Sequence, residues 1–145
     1  MKIRIIAIGK IKERFTQEWT QELLKRIPKY CQIEVLEQKE LGNIEDEAER
    51  ILNQVKPEDY LIALDIKGTS TSSEELASLM KQQLMQKNIT FVIGSDKGIS
   101  QKVLQKANYR LSLSRMTFTH QIARLLLIEQ IYRAFTIIKG EKYHK

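Results

Sequence analysis

An α/β fold, built as an open parallel sheet with helices on both faces, is predicted by three observations. Short apolar runs of strand length alternate five times with stretches of helical periodicity. The inner runs are apolar at nearly every position, as strands covered on both faces are. Glycine, proline or a few polar residues punctuate the runs, with no internal repeat and no low-complexity linker. A chain of 145 residues read this way is a single domain, residues 1–145, able to bury its own core.

The elements follow in order. Lys2 to Gly9 alternates and then fills with Ile and Ala, a mostly buried first strand closed by Gly9. From Glu13 to Ile27, Phe15, Trp19, Leu23, Leu24 and Ile27 recur at helical spacing until Pro28, predicting an amphipathic helix with these residues inward. Gln32 to Glu37 places Ile33 and Val35 among polar neighbours, a half-buried edge strand. Glu45, Asp46, Glu47 and Glu49 then open a helix that ends near Lys56-Pro57, with acid at the positive end of its dipole. Tyr60 to Ile66 is a central strand ending at Gly68, and Ser72 with Glu75 forms a capping box for a helix carrying Leu76, Leu79, Met80 and Leu84. Ile89 to Ile93 is a buried strand ended by Gly94, Gln101 to Ala107 a short helix, and Tyr109 to Leu113 a fifth strand.

His120 to Ile138 is the last helix. At 100° per residue its apolar side chains, from Ile122 through Leu125, Ile128 and Ile131 to Phe135 and Ile138, point in nearly every direction. A helix apolar all round needs cover all round, so the sequence predicts a homodimer packed through this helix; the alternative is a central helix within one chain.

Charge divides the chain. The net charge is +6, yet residues 1–99 carry 15 Lys and Arg against 16 Asp and Glu, while residues 100–145 carry 9 against 2. A basic last third fits either a solvated face or a polyanion partner, because cations on phosphates release counterions. Cys31 is the single cysteine and His120 and His144 the two histidines, which excludes a disulfide and a structural zinc site. No apolar run reaches membrane-spanning length and Met1 to Arg4 shows no signal-peptide pattern, so a cytoplasmic protein without membrane attachment is expected.

Ligands of an open α/β sheet sit beyond the carboxyl ends of strands. Three such ends are candidates: Leu64 to Gly68, Gly94 to Ile99, and Leu113 to His120. The Gly94-Ser95-Asp96-Lys97-Gly98 turn is neither a Walker loop nor a dinucleotide fingerprint, and its glycines permit close approach to a flat ligand such as a nucleoside. Tyr143, His144 and Lys145 supply an aromatic ring, an imidazole and a cation, which base stacking and phosphate contact require; a frayed polar tail is the plainer reading. On the last helix His120 and Arg124 share a face, and Glu129 and Arg133 form an i, i+4 pair. The same basic third also fits an RNA-binding module without a cofactor.

The stretches Phe91 to Gly98, Leu111 to Gln121, Ile128 to Phe135 and Gly140 to Lys145, with the opening Lys2 to Lys10, closely resemble the bacterial family of ribosomal RNA large subunit methyltransferase H, over essentially the whole chain. The resemblance implies a SPOUT-class methyltransferase: an α/β domain whose C-terminal segment is threaded into a trefoil knot, working as a homodimer. It implies transfer of methyl from S-adenosylmethionine to N3 of pseudouridine 1915 in helix 69 of 23S ribosomal RNA, on assembled ribosomes, with no metal. The family pattern assigns the cofactor to Leu64, Gly94, Leu113, Ser114, Arg115, Met116, Thr117 and Phe118, on the three strand ends chosen above. Departures are Ser95 where many relatives have a second glycine, Thr119 where many have proline, and a shorter acidic section around Glu40 to Glu49.

Methyl transfer is an in-line displacement, and the acceptor imide must lose its proton. The residues expected to serve it are His144 as base or stacking group, Tyr143 as stacking or hydrogen-bonding group, and Arg124, Arg133 and Lys145 as charge stabilisers or phosphate contacts; His120 is expected to position the helix start.

Overall fold

A computed structural model describes residues 1–145 as β1 (Lys2–Ile8), α1 (Arg14–Arg26), β2 (Gln32–Gln38), α2 (Ile44–Gln54), β3 (Tyr60–Ser70), α3 (Ser73–Leu84), β4 (Ile89–Ile93), α4 (Gln101–Lys106), β5 (Tyr109–Ser112) and α5 (His120–Lys139). All neighbouring strands are parallel, in the order β2-β1-β4-β3-β5. The predicted edge strand is an edge, and the apolar runs β1, β3 and β4 are inside. Parallel pairing brings the carboxyl ends of the strands to one side, where the three candidate loops lie.

Strand side chains alternate between two cores. Ile3, Ile5 and Ala7 of β1 and Phe91 of β4 join Leu23 of α1, Met80 of α3 and Ile128, Ile131 and Phe135 of α5 in the larger one. Ile6, Ile8, Leu61 and Val92 face the other side, against Ala48 and Ile51 of α2 and Val103 of α4. Local chemistry fixes the helix starts: the Asn43 side chain caps α2, Ser72 and Glu75 form the expected capping box on α3, and Thr119 caps α5.

Two sequence readings are corrected. In α1 the inward face is Thr16, Thr20 and Leu23, with Ile27 just beyond, while Phe15 and Trp19 are 68% and 49% exposed. The aromatics occupy the helix edge beside the core, and the two threonines, small enough to pack closely, take the inner positions. Strand β3 continues past Ile66 to Ser70, and both Leu64 and Thr69 pair with Leu111 across an irregularity in the ladder. The polar Lys67-Gly68 step hid that extension; Gly68 is required there, because a Cβ would stand 2.5 Å from Arg110 O. Helix α5 packs between α1 and α3 over the sheet, so Leu127, Ile128, Ile131, Tyr132 and Phe135 are buried and Leu125, Leu126 and Ile138 half-buried within one chain. Its apolar circumference finds most of its cover without a second subunit.

Candidate functional site

The three strand ends enclose one cavity of about 510 Å³, within the range of small-molecule sites. Leu64, Asp65 and Ile66 supply one wall, the turn from Gly94 to Ile99 a second, and the segment from Leu113 to His120 the third. Each wall is held by its own short contacts. The Lys67 amide donates to Asp65 Oδ1 (3.0 Å), the Gly98 amide to Ser95 O (2.9 Å), and the Met116 amide to Ser114 Oγ (3.0 Å). The Ser112 hydroxyl lies 3.1 Å from both Ile66 O and Ser114 O, fastening the first wall to the third. Gly94 is required by the turn itself: a Cβ there would stand 2.5 Å from Gly98 O, and Gly98 adopts φ +89°.

Of the residues assigned to the cofactor by resemblance, Leu64, Gly94, Leu113, Ser114, Met116, Thr117 and Phe118 line this cavity, and the exposed Arg115 does not. Asp65, Asp96 and Ile99 line it too and were not singled out from the sequence; their places just beyond strand ends are the signal that marks them. His120 closes the rim. Its backbone N and Nδ1 both donate to Asp96 Oδ1, at 3.3 and 3.0 Å, and this contact holds the Asp96 carboxyl below its ordinary pKa. Apart from His120, the ionisable side chains of the lining are the two carboxylates Asp65 and Asp96, with no Lys or Arg.

The remaining candidates form a second cluster along α5. Gly140 ends the helix in the left-handed conformation and reverses the chain, with the Glu141 amide on Thr136 O at 2.8 Å. The tail is thereby laid back on the helix. Tyr143 OH donates to Glu129 Oε2 (2.8 Å), Arg133 grips both oxygens of Glu129 (3.2 and 2.6 Å), and the Arg133 guanidinium sits 4.7 Å from the centre of the Tyr143 ring. Burial, then the Glu129 carboxylate, raises the Tyr143 phenol pKa. His144 Nδ1 lies 3.2 Å from Arg133 Nη1 and Nε2 lies 2.6 Å from Glu74 Oε1. Arginine only donates, so Nδ1 accepts and Nε2 carries the proton given to Glu74. Both ring nitrogens are therefore occupied while the tail is docked. Lys145 is exposed beyond them.

Arg124 is not brought to this cluster. Nine residues before Arg133, roughly 14 Å along the helix, it is 2% exposed and donates to Gly9 O (2.8 Å) and to Glu37. It clamps the ends of β1 and β2 to the start of α5. None of Arg133, Tyr143, His144 and Lys145 lines the cavity of their own chain. No group of three or more His, Cys, Asp and Glu is placed to hold a metal ion, and no helix is long and apolar enough to cross a membrane.

A parallel α/β sheet with a ligand cavity made by three successive strand-end loops is the architecture of SPOUT methyltransferases, and comparison with known proteins agrees. The family model described as predicted SPOUT methyltransferase matches residues 1–144. The chain belongs to this family, and within it to the ribosomal RNA large subunit methyltransferase H group: it is 44% identical to the protein of that name from Carboxydothermus hydrogenoformans and 46% identical to that from Halothermothrix orenii, in both cases over 100% of each chain. Among solved structures, the fold resembles the tRNA (m1G37) methyltransferase from Aquifex aeolicus (TM-score 0.57, 13% identity, covering 100% of this chain and 75% of that one). It also resembles the SpoU methyltransferase AviRb from Streptomyces viridochromogenes, solved with its cofactor AdoMet (TM-score 0.50, 9% identity, 96% and 58%).

Proposed function

We propose that this protein methylates N3 of pseudouridine 1915 in helix 69 of 23S ribosomal RNA, taking the methyl group from S-adenosylmethionine. The observation that carries the reading is the single cavity into which all three strand-end loops converge, in a chain alike over its full length to large-subunit ribosomal RNA methyltransferases. The cavity suits the cofactor: apolar walls at Leu64, Ile93 and Leu113 accept an adenine ring, the open Gly94 to Gly98 turn offers backbone polar groups, and the two carboxylates match a cation. When bound, the cofactor supplies a methyl group on a positively charged sulfur.

The chain's own residues bind, align and handle a proton. Leu64, Gly94 and the Leu113 to Phe118 segment hold the donor against the strand ends, leaving the open mouth for the acceptor base. The acceptor N3 must give up its proton before it can bond to carbon, and the His144 imidazole, once released from Glu74, would take it. Arg133 stabilises the imidate charge, and Tyr143 and His144 stack on or hydrogen-bond the base once the tail leaves Glu129 and Glu74. Arg115, exposed at the rim, and Lys145 contact phosphate. Arg124, held by Glu37 and Gly9, serves by fixing the start of α5.

Two further parts of the reading have support in the fold. A homodimer in which one tail completes the partner's cavity is supported by the separation of the tail cluster from its own cavity. It is also supported by the exposed Phe15 and Trp19, one turn apart on α1, with Ile122 nearby, where the Gln121 side chain accepts from the amides of Lys12 and Glu13. A trefoil knot is supported by the double pairing of Leu111 with Leu64 and Thr69, and by α5 lying between α1 and α3 although β5 is at the sheet edge. The work would be done in the cytoplasm, where ribosomes are.

The test is methylation of purified ribosomes that carry the pseudouridine but lack the methyl group, read by mass spectrometry of the helix 69 fragment. We expect one methyl group at N3, and no product from Gly94→Trp, whose side chain fills the cavity. Methylation at another nucleotide overturns the assigned target. Saturable cofactor binding by the wild type without any methylation of ribosomes overturns the substrate.

A further inference from the structure

In a chain that is basic as a whole, the cavity lining carries two carboxylates and no Lys or Arg. The net charge is +6, yet Asp65 and Asp96 are the fixed charges of the lining. The nearest cations in sequence are turned elsewhere: Lys97 reaches Gly42 O at 2.9 Å, and neither Lys67 nor Arg115 lines the cavity. Asp65 is oriented by the backbone of its own loop and Asp96 by the start of α5. Asp65 Oδ1 accepts from the Lys67 amide, and Asp96 Oδ1 accepts from the His120 amide and ring, leaving the second oxygen of each without a partner in the chain. Two carboxylates on two of the three walls, Asp96 with its side chain 67% exposed, and no Lys or Arg in the lining give the cavity a field opposite in sign to the molecule as a whole.

The two forms of the cofactor differ in charge. With its sulfonium, ammonium and carboxylate, S-adenosylmethionine carries +1. After the methyl group has left, the sulfur is a neutral thioether and S-adenosylhomocysteine carries zero. The shapes differ by one methyl group, which is worth little discrimination in an apolar pocket. Charge is the larger difference.

We propose that Asp65 and Asp96 make this cavity select the charged methyl donor over its neutral product, so that loss of the sulfonium charge during methyl transfer itself loosens the spent cofactor. The inference rests on the cofactor reading given above and adds to it a role for two residues that no motif marks. A carboxylate lining a cavity partly open to water is expected to favour a cationic ligand over its neutral counterpart by about fivefold. The preference should shrink toward unity in 1 M salt, where the screening length is about 3 Å.

The experiment is calorimetric titration of the wild type, Asp65→Asn, Asp96→Asn and the double variant. Three ligands are used: S-adenosylmethionine, S-adenosylhomocysteine, and sinefungin, which places an ammonium where the sulfonium stands. Thermal melting confirms that each isosteric variant is folded. The expected result is wild-type preference for both cationic ligands, a preference reduced about fivefold by each substitution and lost in the double variant, with affinity for S-adenosylhomocysteine kept or improved. Equal weakening of all three ligands would make the two residues merely structural and overturn the proposal, as would an unchanged ratio in the double variant. Failure of the wild type to bind any of the three is a separate outcome, which overturns the cofactor reading together with this inference.

Discussion

The Ser95 hydroxyl donates to Oε1 of Glu47, 3.4 Å away, and both side chains are buried. Ser95 stands in the turn directly after Gly94. Its side chain is directed toward helix α2, where the other oxygen of Glu47 accepts the Leu41 amide at 2.9 Å. Ser100 and Lys102 also reach Glu45, so the cavity's second wall is braced by the first turn of α2. Glu47→Ala should therefore destabilise the protein by about 1–3 kcal/mol, by orphaning a buried amide and a hydroxyl. Ser95→Gly should cost less than 1 kcal/mol and leave cofactor affinity within about twofold. Denaturant titration and calorimetry check both.

Arg124 holds three elements together from a buried position, and no shorter side chain spans Gly9 O and Glu37. Arg124→Ala is expected to lower stability by about 2–4 kcal/mol, the cost of a lost buried charge-assisted network moderated by the partial exposure of Glu37. Because the contact is with the ends of β1 and β2 and not with a ligand, methyl transfer by the folded fraction at low temperature should fall far less than stability does. Equilibrium unfolding compared with turnover per folded molecule separates the two.

The docked tail gives a sharper activity test. Removal of Tyr143, His144 and Lys145 should abolish ribosome methylation while leaving S-adenosylmethionine affinity within about threefold, since none of the three lines the cavity of its own chain. Glu74→Gln, which weakens the hold on His144 Nε2 without touching the tail, should keep methylation at or above the wild-type rate. Single-turnover assays on ribosomes distinguish these results.

Cys31 provides a probe of the fold in alkali. It is 7% exposed, and burial pushes its thiol up to about 11. Between the ordinary thiol value, about 8.5, and that figure, the unfolded chain is thiolate while the folded chain keeps its proton. The associated stability is present below the ordinary value and is lost as pH rises through about 11. Tyr30, Tyr60 and Tyr143, raised chiefly by burial, add to the loss at higher pH in the same direction. Melting temperature should fall steeply above about pH 9, with a shallower limb in Cys31→Ala. At pH 8 the folded thiol should resist a disulfide reagent that titrates it fully in denaturant.

The sequence was most legible where one principle dominated. Continuous apolar runs identified β1, β3 and β4, the Ser72 to Glu75 pair announced the start of α3, and strand ends named the three loops that do meet. It misled where neighbours decide. Spacing alone turned Phe15 and Trp19 inward, although Thr16 and Thr20 are the residues buried there, and the ring of apolar residues on α5 could not reveal how much one chain wraps it. Asp65 and Asp96 were not singled out, because nothing in the sequence brings Leu64 to Gly68 and Gly94 to Ile99 to one cavity. The tail's aromatic and imidazole were visible, but not that Gly140 folds them back onto Glu129 and Glu74.

The chain from Leu113 to Thr119 is suspended between two fixed posts, the β5 ladder ending at Ser112 and the first turns of α5 secured by Gln121 and Arg124. A short strap of this kind gains little entropy by letting go, since its ends stay where they are. Surface loops of this kind move on the nanosecond to microsecond scale, without requiring the helix beyond them to open. Traffic through the cavity is thus insulated from the thermodynamics of unfolding: the protein can exchange a ligand many times without risking its core, and its working speed and its durability are free to change independently.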